Sequence, residues 1–143
     1  FKTLRYVSER ETIMTHKLRA KWHAYMHNPS REALSEMLHE DVVFISPVVF
    51  TPQTGKELAI KYLLSAGIVF NDTKFEYVHE LESENRMVLE FEAEIDGKYV
   101  NGVDIVDFDD DGLITQFKVM VRPLQAVNML WEQMGTQLEK MSA

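Results

Sequence analysis

At Lys74 the apolar residues change period from helical to two, and this switch limits the chain to architectures containing an antiparallel sheet. Four alternating runs follow: Lys74 to Leu81, Met87 to Ile95, Tyr99 to Phe108 and Leu113 to Arg122. Their links, Glu82 to Asn85, Asp96-Gly97 and Asp109 to Gly112, are turn-forming and too short for a crossover, so sequential strands pair as an antiparallel meander. Strands of such length curl as they twist, which makes room for a cavity on the concave face.

The preceding half reads as helices and one strand. From Glu11 to Met26, Met14, Leu18, Trp22, Tyr25 and Met26 recur at helical spacing, and Asn28-Pro29 supplies the stop. Ser30 is suited to cap a short second helix with Ala33, Leu34, Met37 and Leu38 on one side and His39 near its end. Val42 to Ser46 is β-branched and aromatic, and Pro47 keeps Ser46 extended, so this run is a strand leading into a loop closed by Thr54-Gly55. Leu58, Ala59, Tyr62 and Leu63 mark a third helix from Lys56 to Ser65, ended by Ala66-Gly67. After Pro123, the stripe Leu124, Val127, Trp131, Met134, Leu138 and Met141 predicts an amphipathic terminal helix interrupted or weakened at Gly135, whose apolar side needs a partner surface. The expected class is α+β, with a curved antiparallel sheet in a cone-shaped fold, N-terminal helices over the concave face and a C-terminal amphipathic helix. Residues 1–143 are expected to form a single domain.

Composition narrows the function. With 23 acidic and 15 basic side chains, the formal charge of −8 repels phosphate backbones and anionic lipid, so neither nucleic acid nor membrane is an expected partner. The chain has no cysteine, which removes disulfides, thiol catalysis and thiolate-held metals, and no metal or cofactor is expected. A cytoplasmic location is the default expectation.

Asp104 alternates with Val106 and Phe108, which places a carboxyl on the face assigned to the cavity. Burial there raises its pKa and leaves an acid able to donate to a carbonyl or enolate oxygen; the alternative is a structural Asp bonded to a neighbouring hydroxyl or indole. Leu89 and Phe91, Phe117, Val119 and Val121 share that face from the other strands, and Phe44 and Ser46 join from the first strand. Trp22, Tyr25, Met26, Tyr62 and Leu63 are the helical contributions. Ser46 is either a ligand contact at the loop mouth or a turn residue. His79, alternating with Phe75 and Tyr77, reaches either the pocket or the outside and is a secondary candidate base. His16, His23 and His27 share a helix flank away from Trp22, which reads as a solvated stripe. Asp107, Asp109, Asp111 and Gly112 imitate half of a calcium loop, but Lys118 stands where the closing Glu belongs, so a polar hairpin turn is expected. Glu90, Glu92 and Glu94 alternate with the buried face of their strand and read as solvent or subunit-contact residues.

Two stretches resemble a known family. Val43-Phe44-Ile45-Ser46-Pro47-Val48 through Thr54-Gly55-Lys56-Glu57 is similar to the ketosteroid isomerase segment in which an Asp-Pro pair precedes a loop and a Gly-Arg/Lys-Glu helix start. Gly102 to Phe108, the Asp-Asp-Asp-Gly turn and Phe117 to Leu124 with its Arg122-Pro123 are similar to the paired final strands of SnoaL-like chains. The whole chain thus resembles the nuclear-transport-factor-2-like superfamily, in its SnoaL-like and ketosteroid-isomerase-like branch. The resemblance puts the isomerase general base at Ser46, its oxyanion-binding Tyr at Trp22 and its protonated Asp at Asp104. Only Asp104 matches in kind, since a serine hydroxyl does not take a proton unaided and an indole only donates. The Asp-Arg-Asp set of epoxide-hydrolase relatives has no counterpart between Met87 and Ile95. The resemblance also implies a homodimer through the outer sheet face, around Val103, Ile105 and Met120.

Three functions remain open: a binding protein for an apolar small molecule with a polar group, a proton-transfer enzyme of the isomerase, dehydratase or cyclase type using Asp104, and a structural dimerisation domain with a filled interior.

Overall fold

The helical spacing before Asn28-Pro29 and the alternation after Lys74 both become the elements they predict, in a computed structural model that describes the backbone of residues 9–142 and the side chains of residues 17–142. In chain order these are α1 (Glu9–His27), α2 (Arg31–Met37), β1 (Leu38–Ile45), β2 (Gln53–Thr54), α3 (Lys56–Val69), β3 (Glu76–Glu82), β4 (Arg86–Ile95), β5 (Lys98–Phe108), β6 (Ile114–Arg122) and α4 (Leu124–Ser142). The side chains of Met14 and His16 lie outside the described residues.

The strands make one curved, unclosed sheet in the order β2-β1-β6-β5-β4-β3. The expected meander is present from β3 to β6, each neighbour antiparallel. The sheet as a whole is mixed, however, because β1 lies parallel to β6, with Phe44 opposite Phe117. The alternation in β1 specifies which residues face inward but not which strand it joins. Asp96 and Gly97 adopt φ of 52° and 76°, the left-handed pair a two-residue hairpin requires, and Gly112 adopts 78° in the next turn. Asp109 Oδ1 accepts from the backbone of Asp111 and Leu113, at 3.0 and 2.9 Å, so that turn is held by its own side chain.

Three helices differ from expectation. Ser30 caps α2 as predicted, its Oγ accepting from the Ala33 backbone at 3.1 Å, but the helix stops at Met37 and the strand begins at Leu38, with His39 inside it. Helix α3 runs through Gly67 to Val69, where burial of Val69 offsets the ~1 kcal/mol helix cost of a glycine. Helix α4 likewise continues through Gly135, and it buries Ala126, Met129, Leu130 and Met134. Only Met134 belongs to the expected stripe: Leu124 and Trp131 face outward, 73% and 65% exposed. The buried face of α4, Ala126 with Met129, Leu130 and Met134, packs in the second core cluster, around Phe91, Ala93, Ile95 and Val100.

The core lies between the helices and the inner sheet face. One cluster joins Leu18, Trp22 and Leu34 of α1 and α2 to Met87, Leu89, Val106 and Phe108; the other joins α4 and the end of α3 to the far ends of β4 and β5. Between them the packing is incomplete.

Candidate functional site

The gap between the two clusters is a half-open cleft of about 700 Å³. Its lining is largely aromatic and aliphatic, from Trp22, Tyr25 and Met26 of α1, Phe44 of β1, Leu63 of α3, Phe91 of β4, and Phe117 and Val119 of β6. Asp104 is set into this surface from β5, opposite Leu89 on one side and Val119 on the other. It is 6% exposed.

Taking a carboxylate out of water disfavours its charged form, and burial pushes the Asp104 carboxyl up to about 7, with the hydrogen bond from Tyr77 pulling in the opposite direction. The Tyr77 hydroxyl donates to Asp104 Oδ2 at 2.6 Å and accepts from Trp22 Nε1 at 2.9 Å. A relay therefore runs from helix α1 through β3 to β5. Tyr77 is fully engaged in it, and burial, the nearby Asp104 charge and the bond to that carboxylate hold the phenol well above its ordinary pKa. Such a relay fixes one carboxyl oxygen of a residue that lines the cleft. Sequence reasoning singled out Trp22 and Asp104 but not the residue that joins them. The available signal was the alternation of Tyr77 with Phe75, which puts its ring on the inner face.

His79 does not follow that alternation. Between Tyr77 and His79 the β3–β4 register shifts, so Tyr77 sits opposite Phe91 while His79 sits opposite Glu90. One extra residue in a strand reverses the facing of everything after it. His79 therefore points out of the cleft, its side chain 76% exposed, with Nδ1 3.1 Å from Glu90 Oε1, and it is no base for a ligand inside. The same bulge turns Glu80 and Glu82 inward, where they pair with His23 and Arg19 of α1. His23 also lies edge-on to Tyr77, with ring centres 5.6 Å apart. The expected solvated histidine stripe is thus replaced, at His23, by an anchor between α1 and β3.

Ser46 is buried and does not line the cleft; its Oγ accepts from the Val48 backbone at 3.1 Å and shapes the turn after β1. Leu89, Val106 and Phe108 share the inner face but pack in the α1–α2 core cluster, because those helices cover that end of the sheet. Tyr62 packs its ring 5.4 Å from Phe44, and Val121 packs with the α4 cluster. Neither lines the cleft. The cleft instead includes Phe70, Phe75 and the segment Asn71 to Lys74, contributed by the loop between α3 and β3. Among the described residues no group of three metal-capable side chains converges.

The outer face carries a separate groove of about 460 Å³ between His79, Leu81 and Glu90 on one side and Val103, Met120 and Arg122 on the other. Leu81 and Met120 are 69% and 48% exposed there. Among the described residues no helix is long and apolar enough to cross a membrane.

The relay makes a measurable prediction. Tyr77→Phe strips Trp22 of its acceptor and Asp104 of its donor, and is expected to destabilise the fold by ~1–3 kcal/mol in chemical denaturation. Because the lost bond is the one that lowers the Asp104 pKa, its titration midpoint should also move above that of the parent protein.

Known proteins share this arrangement of elements. A steroid delta-isomerase from Pseudomonas aeruginosa superposes with a TM-score of 0.83 at 33% identity, over 96% of this chain and 98% of that one. An uncharacterized protein conserved in bacteria with a cystatin-like fold, from Silicibacter pomeroyi DSS-3, gives a TM-score of 0.79 at 26% identity over 85% of each chain. An epoxide hydrolase/cyclase-like enzyme of pyran ring formation in polyether salinomycin, at 17% identity and a TM-score of 0.64 over 79% of this chain and 94% of that one, shares the fold. No curated protein sequence matches the chain significantly. Residues 20–117 match the SnoaL-like domain, most of the described chain, and the chain therefore belongs to the SnoaL-like family, with the fold of the ketosteroid-isomerase-like, nuclear-transport-factor-2-like proteins.

Proposed function

We propose that the cleft binds an apolar small molecule through a carbonyl or hydroxyl group held at Asp104. The observation that carries this reading is a buried carboxyl with one oxygen fixed by Tyr77, set among the aromatic walls of a cleft. Near neutral pH about half of Asp104 is protonated, so it donates to a carbonyl oxygen or accepts from a hydroxyl. The apolar walls supply affinity and the carboxyl supplies orientation.

The binding test uses a saturated steroid mono-ketone and thermal unfolding, since a ligand bound only by the native state raises the melting temperature. Asp104→Asn keeps a donor for the carbonyl and is expected to bind within about threefold of the parent, whereas Asp104→Leu is expected to lose about tenfold or more. Equal binding by Asp104→Leu contradicts a role for the carboxyl.

A second reading, proton transfer, is favoured by the same group. A carboxyl with a pKa of about 7 both takes and returns a proton at neutral pH, and the relative of 33% identity is a steroid delta-isomerase. With Ser46 committed to its turn, a single group at Asp104 would have to move the proton between two carbons of the substrate. The expected result is conversion of a β,γ-unsaturated steroid ketone to its conjugated isomer, lowered by at least ~100-fold in Asp104→Asn while binding persists. Binding without conversion selects the first reading.

A further inference from the structure

We propose that Tyr25 is a second polar anchor of the cleft, so that the ligand is an apolar molecule bearing two oxygen functions, one at Asp104 and one reaching the Tyr25 hydroxyl beside Gly67. This rests on the cleft being a binding site and specifies what occupies it.

Tyr25 is 3% exposed, and its hydroxyl is buried with no hydrogen-bond partner among the described residues. A phenylalanine would fill the same space without that cost, so core packing alone does not account for the oxygen. The ring is held by Trp22, centre to centre 5.0 Å, and both line the cleft. Across from the hydroxyl, α3 carries Gly67, which also lines the cleft. A Cβ built there meets only the Tyr25 hydroxyl, at 4.0 Å. Gly67 thus sets no side chain against the unpartnered oxygen, although its position inside a helix costs stability relative to alanine.

The two polar points stand on different walls. Asp104 lies on the sheet with Tyr77, and the Tyr25 hydroxyl lies between α1 and α3; Phe44, Leu63, Phe91 and Phe117 supply apolar surface to the same cleft. Burial pushes the Tyr25 phenol up to about 12, so it remains a neutral hydroxyl that donates or accepts. A hydroxy-ketone or diketone meets both points without burying a charge.

Two matched pairs test this: the saturated steroid mono-ketone against its counterpart with a hydroxyl on the far ring, and a medium-chain methyl ketone against its terminal hydroxy derivative. The flexible pair adjusts its span, so the result does not depend on one fixed oxygen separation. Titration calorimetry gives the affinity ratio within each pair. In Tyr25→Phe the ratio of hydroxy-ketone to mono-ketone affinity is expected to fall about tenfold for at least one pair. The ligand-free Tyr25→Phe protein is expected to melt ~2–4 °C higher than the parent, as an unpartnered hydroxyl is removed. Gly67→Ser, which offers Tyr25 a hydroxyl of its own, should lose the preference while still binding the mono-ketone. An unchanged ratio in Tyr25→Phe for both pairs, with the mono-ketones bound, overturns this proposal and leaves the cleft reading standing. If neither ketone of either pair binds the parent protein, both fall together.

Discussion

At about pH 8 the Asp104→Asn protein is expected to be more stable than the parent by about 4 kcal/mol, an unusual sign for replacing a buried polar residue. The folded-state pKa of Asp104 is raised, to about 7 from an ordinary 3.8. Between those two values the native protein holds a proton that the unfolded chain has released, so stability falls as pH rises through the window. The cost is absent below the lower value and fully present above the higher one. A gap of about three pH units at ~1.4 kcal/mol each gives the magnitude. The amide does not titrate and still offers an oxygen to the Tyr77 hydroxyl, so the advantage should shrink toward zero near pH 4. Urea denaturation of both proteins across this range measures the difference. A constant difference at every pH shows that Asp104 is not buried with a raised pKa.

Gly102→Ala is expected to cost ~3 kcal/mol, at the upper end for overpacking. Gly102 lies on the inner face of β5, directly opposite Phe91 of β4 and Val121 of β6. A Cβ there overlaps Phe91 Cζ, comes within 2.7 Å of Phe91 Cε2 and reaches 2.9 Å from the Met120 carbonyl oxygen. The ring has little freedom, since it stacks on Phe75 with centres 4.9 Å apart and meets Phe70 edge-on at 5.5 Å. The carbonyl belongs to the adjacent strand and cannot withdraw without breaking the β5–β6 ladder. Because Phe91, Phe75 and Phe70 all line the cleft, the substitution should also weaken ketone binding. Chemical denaturation checks the first effect and calorimetry the second; a loss below about 1 kcal/mol means the sheet yields where the packing says it is rigid.

Both predictions concern residues whose facing was legible from alternation, and the same residues show where that legibility ends. Asp104, Val106 and Phe108 share a face because the period of β5 is unbroken, so a buried acid was foreseeable. The bulge at Val78 carries no glycine or proline to announce it, and without it His79 would have joined Tyr77 inside. The shared face was also too coarse a guide to the cleft. Val106 and Phe108 point the same way as Asp104, but α1 and α2 cover them. Which part of a concave face stays open depends on how far each helix extends, and helical spacing fixes a stripe without fixing the docking position. In α4 even the stripe misled: Leu124 and Trp131 are strongly apolar yet exposed, while small Ala126 is fully buried. Hydropathy ranked Leu124 and Trp131 first, whereas the helix docks through Ala126, Met129, Leu130 and Met134. The parallel pairing of β1 with β6 was beyond local pattern altogether, since about half of the chain lies between the two strands.

The proposal stands on Asp104 as a buried acid, about half protonated near pH 7, whose protonated form meets a ligand's oxygen. A carbon-13 carboxyl titration of Asp104, followed by NMR with and without a saturating steroid mono-ketone, tests it most directly. The free protein is predicted to titrate near 7, and the midpoint should move upward with the ketone bound, because the protonated form donates to the carbonyl. A free midpoint near 4, or a midpoint that saturating ketone leaves in place, contradicts the account.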